Sequence, residues 1–226
     1  MEPRVIERAA IVAAVLAGAP ACNSAIPTAP GPPSTATSLV LTCSPLAALA
    51  GELIVCLATV KGSTVILNPD VTWSSSAPDV LLSLGIGAFM GKSDVQGTIT
   101  AAYQGQAASA QVTVTLQDAL RATAAADQGS FKVGTTATMW LQGFYGVASA
   151  DSGSLTIVVS DQNGAMVSSS APITVPRGGD RYLISTTFTL PPGTTRVCRT
   201  GVLQIGSTTL TVTPAPSLVP CVDVTP

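Results

Sequence analysis

Short runs rich in Val, Ile, Leu, Thr and Ala recur from residue 38 onward, each cut off by Gly, Pro, Asp or Ser. Runs of this length and punctuation fold as β-strands joined by turns. None carries the sustained 3.6-residue period with caps that a helix needs. In the first half they are residues 38–42 (SLVLT), 52–60 (ELIVCLATV), 71–73 (VTW), 80–84, 97–103 (GTITAAY) and 107–116 (AASAQVTVTL). In the second half they are residues 135–145 (TTATMWLQGFY), 154–160 (SLTIVVS), 173–175, 182–190 (YLISTTFTL), 201–205 and 208–213. The alanine-rich residues 120–126 read as a bridge between the two groups. The expected fold class is all-β, with two β-sandwich domains in tandem over 38–117 and 129–226 and a linker over 118–128.

Composition agrees with this and removes some functions. The 226 residues give room for one large or two small domains, and 46% of them are hydrophobic while only 10% are charged, which is not the balance of a disordered chain. The net charge is −2 and the ten basic residues are scattered, so no patch is available to neutralise phosphates and no nucleic-acid partner is expected.

Five cysteines in a chain without histidine fall into one plus two plus two. Cys43 and Cys56 are close in sequence, as are Cys198 and Cys221, and Cys22 is left over. Two local pairs read as one disulfide per domain in an exported protein. The crossed pairings, 43–198 with 56–221 or 43–221 with 56–198, would join the domains. Residues 1–21 have the form of a signal peptide: Arg4 and Arg8, then the apolar 9–19 (AAIVAAVLAGA), far short of the ~20 residues that span a bilayer. The next stretch, Ala19-Pro20-Ala21-Cys22, satisfies the small-x-small rule of ordinary signal peptidase. It also resembles the lipobox of bacterial lipoproteins, with Ala19 where that pattern has Leu; the resemblance implies lipidation of Cys22. Residues 25–37 (AIPTAPGPPSTAT) hold four prolines and cannot pack a core, so 22–37 reads as an extended stalk.

Residues 71–80 (VTWSSSAPDV), then Gly97-Thr98-Ile99-Thr100-Ala101, then Ala110-Gln111-Val112-Thr113-Val114-Thr115, follow one another in the order found in the group 2 bacterial immunoglobulin-like domain of adhesins such as intimin and invasin. Residues 38–116 resemble that family, which implies an immunoglobulin-like sandwich and a structural or adhesive role. Residues 84–90 (LGIGAFM) depart from its usual link. Independently, Trp73 in an alternating strand reads as a core plug between two sheets.

Catalytic chemistry has little to draw on. Without histidine there is no Ser-His-Asp triad, imidazole base or His-based zinc site, and no enzyme activity or cofactor is expected. Asp70, Asp79 and Asp94 read as turn formers rather than calcium ligands. The glycines of 85–91 (GIGAFMG) do not match G-x-G-x-x-G and read as a strand or bulge. Asp161-Gln162-Asn163-Gly164 reads as a hairpin turn, and Arg177-Gly178-Gly179-Asp180 as a plain loop. Trp140 and Phe144 share one face of a strand and Tyr145 takes the other. Trp140 is assigned to the second core, leaving Tyr145 as the possible ligand contact. The function expected is that of a non-enzymatic, exported, lipid-anchored structural or adhesive module of the cell envelope, its only membrane contact the lipid. Envelope proteins or glycans are the partners considered. The alternatives are a carbohydrate-binding accessory protein and, for localisation, a soluble secreted or periplasmic chain.

Overall fold

Apolar side chains at every second position, on runs of β-branched and small residues, build strands with one buried face each. The structure, a computed structural model, describes residues 38–61, 63 and 67–226. The signal peptide, Cys22 and the stalk lie outside the described residues. The first eight strands are β1 Leu39–Ser44, β2 Ala47–Leu49, β3 Leu53–Val60, β4 Thr72–Ser75, β5 Leu81–Gly85, β6 Ala88–Gly91, β7 Val95–Tyr103 and β8 Gln106–Thr115. They form two four-stranded sheets, β1-β3-β6-β5 and β2-β8-β7-β4. Ile54, Cys56, Leu81, Phe89, Ile99, Val112 and Val114 form the core between them.

Cys43 and Cys56 are bonded, and they stand directly opposite each other on β1 and β3. The Cys56 amide donates to Gly87 on the other side at 2.7 Å, so this is a non-hydrogen-bonded pair, the closer kind that brings two side chains together. Trp73 packs on this core from the edge strand β4 and is only half-buried. The central plug is Phe89, fully buried, which meets the Trp73 ring edge-on at 6.0 Å. The segment 85–91 supplies that plug: it makes the β5–β6 hairpin, with a bulge between Ser83 and Gly85.

The remaining strands are β9 Ala119–Gly129, β10 Thr136–Asp161, β11 Met166–Ser169, β12 Ile173–Thr189, β13 Arg196–Ile205, β14 Thr208–Val212 and β15 Cys221–Asp223. Three segments expected as breaks are strand. The expected linker 118–128 is almost wholly β9, paired with β10. Residues 146–153 lie inside the 26-residue β10, and Arg177-Gly178-Gly179-Asp180 inside β12. Their glycines mark a corner rather than a loop: the β10–β12 register slips between Val147 and Ser152. Before it β10 pairs with β9 and β12; beyond it β10 keeps β12 as far as Leu155 and pairs with β13 and β11. Leu141 and Ile157 fall in one core cluster, Met139 and Val159 in another, so the two halves of β10 face each other across the interior. One seven-stranded sheet thereby closes into two layers. Cys198 and Cys221 are bonded across β13 and β15. The hairpin turn at 161–164 is present, with the Asp161 carboxylate accepting from the amides of Asn163 and Ala165.

Asn68 holds the first sandwich at a point where no strand can. Its side chain is buried, accepts from the Ala58 amide at 2.9 Å and donates to the carbonyls of Cys56 at 2.7 Å and Ile86 at 3.1 Å. Asn68→Ala leaves buried backbone groups of β3 without partners. Urea unfolding of that variant is expected to register a loss of about 3 kcal/mol.

Candidate functional site

The turn between β2 and β3 rests directly on the corner of β12. Ala50 and Gly51 approach Gly179 so closely that a Cβ on Gly179 would overlap the Ala50 carbonyl carbon. Gly51 has φ of +85°, and a Cβ there would lie 2.8 Å from the Tyr145 carbonyl oxygen and 2.9 Å from the Asp180 amide. Both positions therefore take glycine for physical reasons. The Gly179 amide donates to the Lys92 carbonyl at 2.8 Å, and the Lys92 ammonium lies 3.5 Å from the Asp180 carboxylate at the half-exposed rim. Beside this contact is a cleft of about 230 Å³ lined by Gly51, Glu52, Leu53, Thr123, Phe144 and Arg181.

The three aromatic residues of β10 are placed differently from the sequence expectation. Trp140 and Phe144 do share a face, but it is the outer one of this sandwich, where Phe144 is buried beside the junction cleft. Ala137, Met139, Leu141, Tyr145 and Val147 fill the interior. Tyr145 is thus a core residue, 5% exposed, and does not take the outward place expected of a ligand contact. Burial, then the nearby Asp180 charge, raises its phenol pKa. Tyr182 is buried too, which raises its pKa further, and its hydroxyl donates to the Arg121 carbonyl at 2.9 Å. Trp140 is half-buried on the outer face, not in the core. Ala126 and Ser185 flank it on the neighbouring strands, and Leu183, 60% exposed, is close by. With Ala124, Ala126, Gln142 and Leu183 it lines a depression of only about 60 Å³. A ligand there would stack on the indole rather than enter a pocket.

The acidic residues act locally. The Asp94 carboxylate accepts from the Leu116 amide at 2.8 Å. Asp118 accepts from the Ser149 hydroxyl and from the amides of Ala148 at 2.7 Å and Ser149 at 3.0 Å. The Ser149 hydroxyl lowers its pKa most, opposed by desolvation and assisted by the two amides. The stability this adds is present above the unfolded carboxyl pKa and is lost as pH falls through the folded one. No group of three or more His, Cys, Asp or Glu among the described residues could hold a metal ion, and no helix among them is long and apolar enough to cross a membrane.

Arg199 was not foreseen. It is fully buried and donates to the carbonyls of Ala126 at 2.7 Å, Trp140 at 2.9 Å and Val219 at 3.2 Å, and to the Asp127 carboxylate. Its place in the alternating strand β13 was the one available signal, since Val197 and Leu203 share its inward face.

The sequence matches no protein-family model and no curated protein. Among solved structures, domains 4 and 5 of the S-layer protein SbsC are similar at 15% identity over 84% of this chain and 98% of that one, with a TM-score of 0.30. The BSP domain of a biofilm associated protein is similar at 12% identity over 82% of this chain and 29% of that one, with a TM-score of 0.26.

Proposed function

We propose that this chain is a non-enzymatic structural and adhesive module of the bacterial cell envelope, exported and held to the membrane by a lipid on Cys22. In this reading residues 38–117 are a group 2 immunoglobulin-like domain. The order of their strands supports this: the Val-Thr-Trp segment enters β4, the Gly-Thr-Ile-Thr-Ala segment is in β7 and the closing alternating run in β8, side by side in one sheet. The observation that carries the proposal is the splice between the two sandwiches. Only residues 116–118 separate β8 from β9, and backbone packs on backbone at Gly51 and Gly179. A spacer or display element has to transmit position, and a junction without slack does so.

Calorimetry of the unaltered chain is expected to give one cooperative transition. Gly179→Val should force Ala50 away and split it into two, with the second half melting about 5 °C lower. Two independent transitions in the unaltered chain would remove the rigid-spacer reading. Labelled palmitate is expected to enter the chain in a bacterial host, and Cys22→Ala should abolish the label and move the protein to the soluble fraction. An unlabelled parent chain would remove the anchor.

One observation favours a second reading, carbohydrate binding. Trp140 offers an outward indole on a sheet face that also carries Thr138, Gln142, Ser185 and Thr187. Sugar rings stack on such surfaces while their hydroxyls reach amides and alcohols. On a glycan array, selective binding that Trp140→Ala weakens about tenfold would support it, whereas an array without selective binding would eliminate it.

A further inference from the structure

The solvent side of the β1-β3-β6-β5 sheet carries large apolar side chains where an open sheet face is ordinarily polar, with Thr42, Ser44 and Thr59 opposite Leu57, Val55 and Val40. On β3, Ile54, Cys56 and Ala58 point into the core, while Leu53, Val55 and Leu57 point outward and are 37%, 44% and 41% exposed. Val40 on neighbouring β1 is 39% exposed and Leu84 near the end of β5 is 47% exposed. The β3 sequence, Leu-Ile-Val-Cys-Leu-Ala-Thr-Val, does not alternate. Near-continuous apolar runs belong to strands covered on both faces, and here the outer face is covered only toward the junction, where Met90, opposite Leu53, is buried.

We infer that this face pairs with the same face of a second copy of the chain, with β3 antiparallel to its counterpart. Two features select a second copy. First, β1, β3, β5 and β6 contain no charged residue, so identical faces meet without like-charge repulsion. Second, the charges sit at the ends of β3: Glu52 before it, half-buried with one carboxylate oxygen accepting from the Leu49 amide at 2.9 Å, and Lys61 after it. An antiparallel two-fold arrangement sets each Glu52 end over the partner's Lys61 end, once at each side of the axis. The face also continues an interface already in use, because Leu53 lines the cleft it shares with Phe144 at the junction. A lipid surface fits less well, since the face has neither the exposed aromatic residues nor the basic rim of an interfacial binder. The inference goes beyond the envelope role proposed above and does not depend on it.

The test uses the full mature chain with Cys22→Ser, so that no lipid contributes, in sedimentation equilibrium. A concentration-dependent dimer is expected. Val55→Lys and Leu57→Lys should each raise its dissociation constant by at least about tenfold with the melting temperature unchanged. Lys61→Glu should weaken it less, by losing the end-to-end charge match. Leu183→Lys, on the outer face of the second sandwich, should leave it intact. Should Val55→Lys disturb the fold, Val55→Thr serves as the isosteric polar replacement. A monomer at every concentration would overturn the inference. So would a dimer indifferent to Val55 substitutions, or one dissociated equally by Leu183→Lys. Binding of a monomer to phosphatidylethanolamine–phosphatidylglycerol vesicles, lost in Val55→Lys, would give the face to lipid and overturn it too. None of these outcomes bears on palmitate at Cys22, so the two proposals fail separately.

Discussion

Everything from the β2–β3 turn to the far layer of the second sandwich depends on backbone meeting backbone at Gly51 and Gly179. Gly179 stands at the corner where β12 and β10 leave one layer for the other, with Val147 opposite Gly178 and Ser152 opposite Pro176. The first sandwich therefore docks on the most distorted part of the second. The same corner is held from the other strand. Asp118, just before β9, gathers the amides of Ala148 and Ser149 in the bend of β10. One short region thus sets both the closing of the second sandwich and its attachment to the first. That is why the segment between them is strand and not tether.

Much of this was legible, and the failures have physical causes. The two local disulfides, the Asn163-Gly164 hairpin and most strand positions followed from spacing, alternation and turn chemistry. Alternation also puts Trp140 and Phe144 on one face, but it does not by itself say which face is buried. The neighbours held the answer: Ala137, Met139 and Leu141 alternate with Thr138, Trp140 and Gln142, and the uniformly apolar series is the inner one. Likewise Trp73 yields the centre to Phe89 because its strand lies at a sheet edge. Glycine in 146–153 and 177–180 reads as a loop signal, yet a bulged corner needs glycine as much as a loop does. Single-strand patterns carry no trace of which strand folds back on itself.

Alternation along β13 puts Arg199 on the inward face, but no single-strand pattern shows what receives its charge. A fully buried guanidinium is stable only where enough acceptors converge, and here they come from β9, β10 and the segment before β15. Those three are brought together only in the finished fold. The Cys198–Cys221 bond contributes by keeping Val219 and Pro220 over the arginine, with the Arg199 amide donating to Pro220 at 3.0 Å. The bond closes a loop of 23 residues and restricts the unfolded chain by about 3 kcal/mol. It also fixes one of the acceptors that make the buried charge tolerable, so disulfide and arginine act as one unit.

With so few charges, specificity in this chain has to come from shape. The Lys92–Asp180 pair at the junction is half-exposed at both ends and is worth at most about 1 kcal/mol. Most of the docking then falls to the backbone hydrogen bond from Gly179 and to close packing, neither of which salt screens. The same holds for the open face of β3, whose interior carries no charge and whose only ionic contribution comes from its two ends. Apolar faces associate more strongly, not less, in the salts that are excluded from protein surfaces. A chain built in this way keeps its internal joint across a wide range of ionic strength.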